Sequence, residues 1–152
     1  MMAHEIIIPK EKAVFWMDHR GRWCNADGPF RHKKIIDHFN ASIRKDDQGY
    51  YVEQVRDATH EKVYFRYAET PLFAVEIISL KPITLRLNTG RIIPLAPESL
   101  FIRKDQLYMR MESECIQFSE RVLFKLADQM KREQGAFVFH YEGRDYLLRT
   151  ID

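Results

Sequence analysis

Apolar residues along the chain recur with a period of two, then of 3.6, then of two again, and this order occurs twice. Phe15-Trp16-Met17 is a short apolar run, Asp18 to Gly21 has turn composition, and Arg22-Trp23-Cys24 returns, which predicts a β-hairpin. About eighty-five positions later, Leu100-Phe101-Ile102, the polar Arg103 to Gln106, and Leu107-Tyr108-Met109 repeat the arrangement and align Trp23 with Tyr108. A helix is expected after each hairpin. Ile35, Ile36, Phe39 and Ile43 stand at i, i+1, i+4 and i+8, and Val122, Leu123, Leu126 and Met130 have the same spacing, so each set forms one apolar stripe to be buried against strands. Gly49 and Gly135 follow where the chain leaves each helix or turns. Tyr50-Tyr51-Val52 and Ala136 to Tyr141 then read as strands, the second returning through Glu142-Gly143-Arg144-Asp145 to Tyr146-Leu147-Leu148.

Further strands are predicted over Lys62 to Ala68, Leu72 to Ile78 and Ile83 to Leu87, and at Ile92-Ile93 after the turn Asn88-Thr89-Gly90. Two main helices among many short strands, without a βαβ rhythm, imply an α+β fold with mostly antiparallel sheet, built as two tandem, related hairpin-helix-strand units. Lys81-Pro82 marks the expected seam, because proline cannot donate to a strand ladder. The units so defined are 12–80 and 81–152. No long linker separates them, so they are expected to pack together as one compact protein.

Composition agrees with a packed core: of 152 residues, 45% are hydrophobic and 30% charged, the ordinary globular mix. The longest strongly apolar stretch, Pro71 to Leu80, is interrupted by Glu76 and is too short to span a bilayer. Met1 to Lys12 lacks the basic flank and apolar core of a signal peptide, which places the expected location in the cytoplasm. The formal net charge is +2. It is evenly spread, with twelve basic and twelve acidic residues up to Leu80 and twelve against ten beyond it. Nucleic acid as main partner is therefore disfavoured, since phosphate neutralisation calls for a basic stripe. Cys24 and Cys115 are isolated and no histidine pair has ligand spacing, so no metal, redox motif or cofactor is implied; both cysteines are expected to be small buried groups. No oligomeric state is specified.

Gly21-x-Trp23, Gly28-Pro29-Phe30-Arg31 opening a helix, Gly49-Tyr50-Tyr51, Glu61-Lys62-Val63 and Thr70-Pro71-Leu72-Phe73-Ala74-Val75 resemble the bacterial family known as domain of unknown function 1285. The resemblance spans nearly the whole chain and is clearest over Phe15 to Ile78. It implies N- and C-terminal parts sharing a structural motif and a role in signalling or ligand binding. It implies no reaction, cofactor or catalytic residue.

Candidate chemistry centres on the first helix. A helix N-terminus carries partial positive charge and favours acids. The second helix obeys this, with Ser119-Glu120 at its start and Lys131-Arg132 at its end. The first begins instead with Arg31, His32, Lys33 and Lys34 after Asp27-Gly28-Pro29, with Pro29 suited to the first helical position. Such a cluster beside free backbone N–H groups can attract a phosphate or carboxylate, or can simply be a solvated face. Arg31, Lys34, Arg22, Trp23 and Gly28 are the candidate ligand-binding residues, although Trp23 is better explained as a core aromatic than as a ligand contact.

Catalytic patterns are missing: His4, His19, His32, His38, His60 and His140 are scattered, and the adjacent pairs Asp18-His19 and Asp37-His38 point their side chains apart. The expected function is a non-enzymatic ligand-binding or signalling-type module, taking a small anionic ligand or a protein partner in a cleft between the halves. The alternatives are a small enzyme with an unrecognised acid/base site and a weak nucleic-acid binder.

Overall fold

The computed structural model describes residues 4–152, and the chain divides between Pro71 and Leu72 into two units. In the first, β1 (His4–Ile8), β2 (Phe15–Met17), β3 (Trp23–Asn25) and β4 (Gly28–Pro29) precede α1 (Lys33–Ala41). After the helix come β5 (Ile43–Asp46), β6 (Gly49–Arg56) and β7 (Thr59–Tyr64). Strands β2, β3 and β4 form a small antiparallel sheet, and a four-stranded sheet runs β1-β7-β6-β5, with β1 parallel to β7. Alternation sets the faces of β2: Phe15 and Met17 point inward, while Trp16 between them is exposed.

The core of this unit is aromatic. Trp23 is 1% exposed and Phe65 2%, with ring centroids 4.8 Å apart. Phe39 meets Phe15 at 5.0 Å and Trp23 at 5.3 Å, both edge to face, the arrangement that ring quadrupoles favour. The Met17 N–H donates to the Arg66 carbonyl at 2.9 Å, which fixes the hairpin to the segment after β7.

In the second unit β8 (Phe73–Leu80), β9 (Ile83–Leu87), β10 (Ile92–Pro94), β11 (Leu100–Arg103), β12 (Gln106–Met111) and β13 (Glu114–Phe118) precede α2 (Glu120–Leu126). A 3-10 turn (Ala127–Gln129) leads from α2 to β14 (Met130–Glu133), β15 (Ala136–Tyr141) and β16 (Arg144–Thr150). All nine strands join one sheet in the order β10-β9-β8-β13-β12-β11-β16-β15-β14. The pairs β13–β8 and β11–β16 are parallel and the others antiparallel. Leu85, Ile116, Phe118, Val122, Leu126 and Phe139 are all but completely buried. The fold is thus α+β and mostly antiparallel.

Several elements differ from expectation. Lys81-Pro82 lies in the turn between β8 and β9, so the division of the chain falls at Pro71/Leu72 rather than at 80/81; ladder bonds hold β8 to β9 and β13 on either side. Gly28-Pro29 does not open the helix. It forms β4, and the Phe30 N–H continues the pairing by donating to the Trp23 carbonyl at 2.8 Å. The apolar stripes also cross element boundaries. Ile43 is buried from β5 and Met130 is half-buried in β14, while Ile35 in α1 is 46% exposed and no residue of α1 is fully buried. Gly49 and Gly135 serve strand-to-strand turns at φ 122° and 83°, not the helix ends.

Candidate functional site

The short loop between β3 and β4 and the segment leading into α1 enclose a cavity of about 410 Å³ in the first unit, lined by Asn25, Asp27, Pro29, Phe30, Arg31, His32 and Ile35. Local chemistry shapes its rim. Asn25 Oδ1 accepts from the Asp27 N–H at 2.9 Å, closing the loop, and Gly28 at φ 108° takes the conformation that a side chain would oppose. Phe30 packs edge to face on Phe39 at 5.1 Å, giving the cavity an apolar wall attached to the core.

At the start of α1, His32 is the N-cap residue and makes no capping side-chain bond, and no acid occupies the first turn. The N–H groups of Ile35 and Ile36 donate to the His32 carbonyl, as in any first turn. Lys33 is taken up by Asp37, Nζ to Oδ2 at 2.7 Å one turn on, an exposed pair of small energetic weight. The α2 start differs in both respects, since Ser119 Oγ accepts from the Val122 N–H at 3.3 Å and Glu120 lies in the first turn.

Of the residues singled out from sequence, Arg31 lines the cavity and Gly28 forms the turn beside it. Lys34 is exposed on the first turn of α1 and is not among the lining residues. Arg22 is engaged elsewhere. Its Nε donates to Asp18 Oδ2 at 2.8 Å, while Asp18 Oδ1 accepts the Arg20 and Arg22 N–H groups at 2.9 Å each. Burial pushes the Asp18 pKa up, but these donors and the guanidinium outweigh it and hold the carboxyl below its ordinary value. Trp23 is core. Asn25, Asp27 and Ile35 were missed, and the signal available was the Asn-x-Asp-Gly loop between the hairpin and Pro29.

Titratable groups also meet on the four-stranded sheet, where strand register brings together residues that are remote in sequence. Tyr64 Oη donates to Asp46 Oδ2 at 2.6 Å, and Lys62 Nζ lies 3.4 Å from the same oxygen. Glu53 joins His60 (2.7 Å) and Arg44 (3.2 Å). In the second unit His140 Nδ1 meets Asp145 Oδ1 at 2.7 Å across the β15–β16 hairpin. Asp18 and Asp37, each beside a histidine in sequence, pair instead with Arg22 and Lys33. Among the described residues no group of three or more His, Cys, Asp and Glu side chains could hold a metal ion, and no helix is long and apolar enough to cross a membrane.

The architecture and the uncapped basic helix start define an α+β domain with a modest cavity beside α1 in its first unit. No protein-family model and no curated protein matches the chain. Two solved structures are similar to it. A DUF1285 family protein from Silicibacter pomeroyi DSS-3 superposes with a TM-score of 0.63 at 14% identity, covering 98% of this chain and 85% of that one. A DUF1285 family protein from Shewanella baltica OS155 superposes with a TM-score of 0.54 at 14% identity, covering 78% of this chain and 94% of that one. At that identity the likeness is one of fold: the chain has the fold of these DUF1285 family proteins, in line with the resemblance carried by its motifs.

Proposed function

We propose that the protein is a non-enzymatic ligand-binding module and that its first unit takes a small anion at the start of α1. The observation that carries this reading is the cavity of about 410 Å³ at a helix start with neither an acidic first turn nor a side-chain cap. Arg31 on its wall would grip an oxyanion with two hydrogen bonds from its planar guanidinium, and His32 would add a donor. Lys34 would contribute charge from the first turn without lining the cavity, and Gly28 would hold the rim open. The Asp27 carboxylate on the same wall sets a limit, favouring a ligand whose anionic group sits toward Arg31 with a donor facing Asp27. Arg22, committed to Asp18, and Trp23, committed to the core, are left out.

The tandem relationship of the halves is part of the same proposal. Each unit contains three antiparallel strands, a helix and three further antiparallel strands, β2 to β7 around α1 and β11 to β16 around α2. That order supports descent from one hairpin-helix-strand unit. A signalling role would follow from ligand binding in a module of this kind, with the protein acting in the cytoplasm.

A thermal-shift screen of nucleotides, inorganic phosphate and small carboxylic acids tests the reading. A true ligand stabilises by RT ln(1 + [L]/Kd), about 2.7 kcal/mol at a hundredfold excess over Kd. Arg31→Glu should abolish that shift. A ligand whose shift survives the substitution removes the anion site.

A further inference from the structure

We propose that the cavity between the β3–β4 loop and α1 takes a zwitterionic α-amino acid with an apolar side chain, an inference that rests on the anion site described above and names its occupant. The cavity wall carries charge of both signs. Asp27, in the turn between β3 and β4, and Arg31, which follows β4, both line it and are both exposed. The charged side chains nearby are already paired, Arg22 with Asp18 and Lys33 with Asp37. Asp27 and Arg31 differ: neither makes an ion pair with any described residue, including each other. Four residues of chain separate them, a span of at most about 13 Å for an extended backbone, which leaves room for a ligand group bonded to each.

The rest of the wall is mostly apolar. Pro29, Phe30 and Ile35 supply it, with Phe30 held edge to face on Phe39 at 5.1 Å. Ile35 lines the cavity from α1 and stays largely exposed, so its surface is not consumed by the core. A simple carboxylate held by Arg31 would leave Asp27 facing an anion, and a simple amine held by Asp27 would leave Arg31 facing a cation. A ligand that bears both groups on one carbon answers each charge. Arg31 would take the α-carboxylate with two parallel N–H bonds, Asp27 would accept from the α-ammonium, and the side chain would cover Phe30 and Ile35. The volume of about 410 Å³ is in the range of small-molecule pockets and suits a body the size of leucine or phenylalanine. Inorganic phosphate offers Asp27 no cation and the apolar wall nothing.

The probes are L-phenylalanine, 3-phenylpropionate, which lacks its ammonium, and 2-phenylethylamine, which lacks its carboxylate. Titrated into the full chain and followed by amide NMR, phenylalanine should move the Gly28, Arg31 and Ile35 signals saturably. Each single-charge analogue should bind about tenfold more weakly, because it leaves one charged wall group without a partner. Asp27→Asn should erase the preference for phenylalanine over 3-phenylpropionate, and Arg31→Gln the preference over 2-phenylethylamine. Both residues are exposed, so both variants should keep the native spectrum away from the cavity. If 3-phenylpropionate binds the native chain as tightly as phenylalanine and loses that affinity in Arg31→Gln, the amino-acid inference is overturned while the anion site stands. A preference for phenylalanine that survives both substitutions would overturn it as well. So would the absence of saturable movement with all three probes, in which case the phosphate and nucleotide arms of the thermal-shift screen decide the anion site separately.

Discussion

Trp23 Nε1–H donates to Asn40 Oδ1 at 2.7 Å, joining the first hairpin to the last turn of α1. The indole is 1% exposed, so in the intact fold its N–H depends on Asn40 for a partner. Asn40→Ala should therefore cost about 1–3 kcal/mol by leaving a buried N–H unpaired. Trp23→Phe in the same background should recover part of the loss, since it removes the orphan, and urea melts of the three variants measure this.

Phe39 lies on the same contact. It touches Phe15, Trp23 and Phe30 edge to face but is only half-buried, because α1 exposes much of its surface. Phe39→Ala should cost about 2–3 kcal/mol, below the 3–5 typical of a fully buried phenylalanine. A double-mutant cycle with Phe15→Ala should return a coupling of about 0.5–1.5 kcal/mol. A coupling near zero would mean that the ring contact carries no energy.

The two helix starts predict opposite responses. Ser119→Ala should destabilise by about 1 kcal/mol, because Ser119 Oγ caps α2. His32→Asp should stabilise in the absence of ligand by a similar amount, since it gives α1 a capping oxygen and an anion at its positive end. Lys34→Glu should add about 0.3–1 kcal/mol at low salt and lose that gain as salt is raised. Chemical denaturation at two ionic strengths checks all three.

The Tyr64–Asp46 bond predicts behaviour at both ends of the pH scale. The bond to Asp46, together with burial, pushes the Tyr64 pKa up to about 12 from 10.0. The folded phenol keeps its proton at a pH where the unfolded one has lost it. Its contribution is thus complete below pH 10.0 and is lost as pH rises through about 12. For Asp46 the same bond, against the effect of burial and with help from the Gln48 N–H and Lys62, holds the carboxyl below 3.8, so its contribution is present above pH 3.8 and is lost as pH falls through the folded value. Tyr64→Phe should remove the late-ionising phenol from an ultraviolet titration and let the Asp46 carboxyl, followed by NMR, return upward. Tyr67 and Tyr141 are also raised, so the difference between variant and native curves is the quantity to read.

Local pattern determined a large part of this protein by itself. Period-two alternation and turn residues were enough to locate β2–β3, β9, β11–β12 and β15–β16, because a hairpin's strands and turn are contiguous in sequence and each residue's face follows from the pleat. The α+β class and the charge inversion at the start of α1 were legible for the same reason. Where a helix stops was not. Ile43 and Met130 continue a helical spacing, yet both belong to strands, since pairing with Val52 and Phe139 outweighs the local period. Strand β1 pairs with remote β7, and β13 with remote β8 as well as with β12, contacts that only the tertiary structure could assign, whereas β5 and β14 pair with the strands that follow them but are too short and charged to show an apolar period. The cavities divide in the same way. Arg31, His32 and Gly28 are neighbours along the chain, so sequence could nominate them, whereas Ile83, Gln129 and Tyr141 line one cavity of the second unit because a nine-stranded sheet brings distant turns together, a relation that no local spacing encodes.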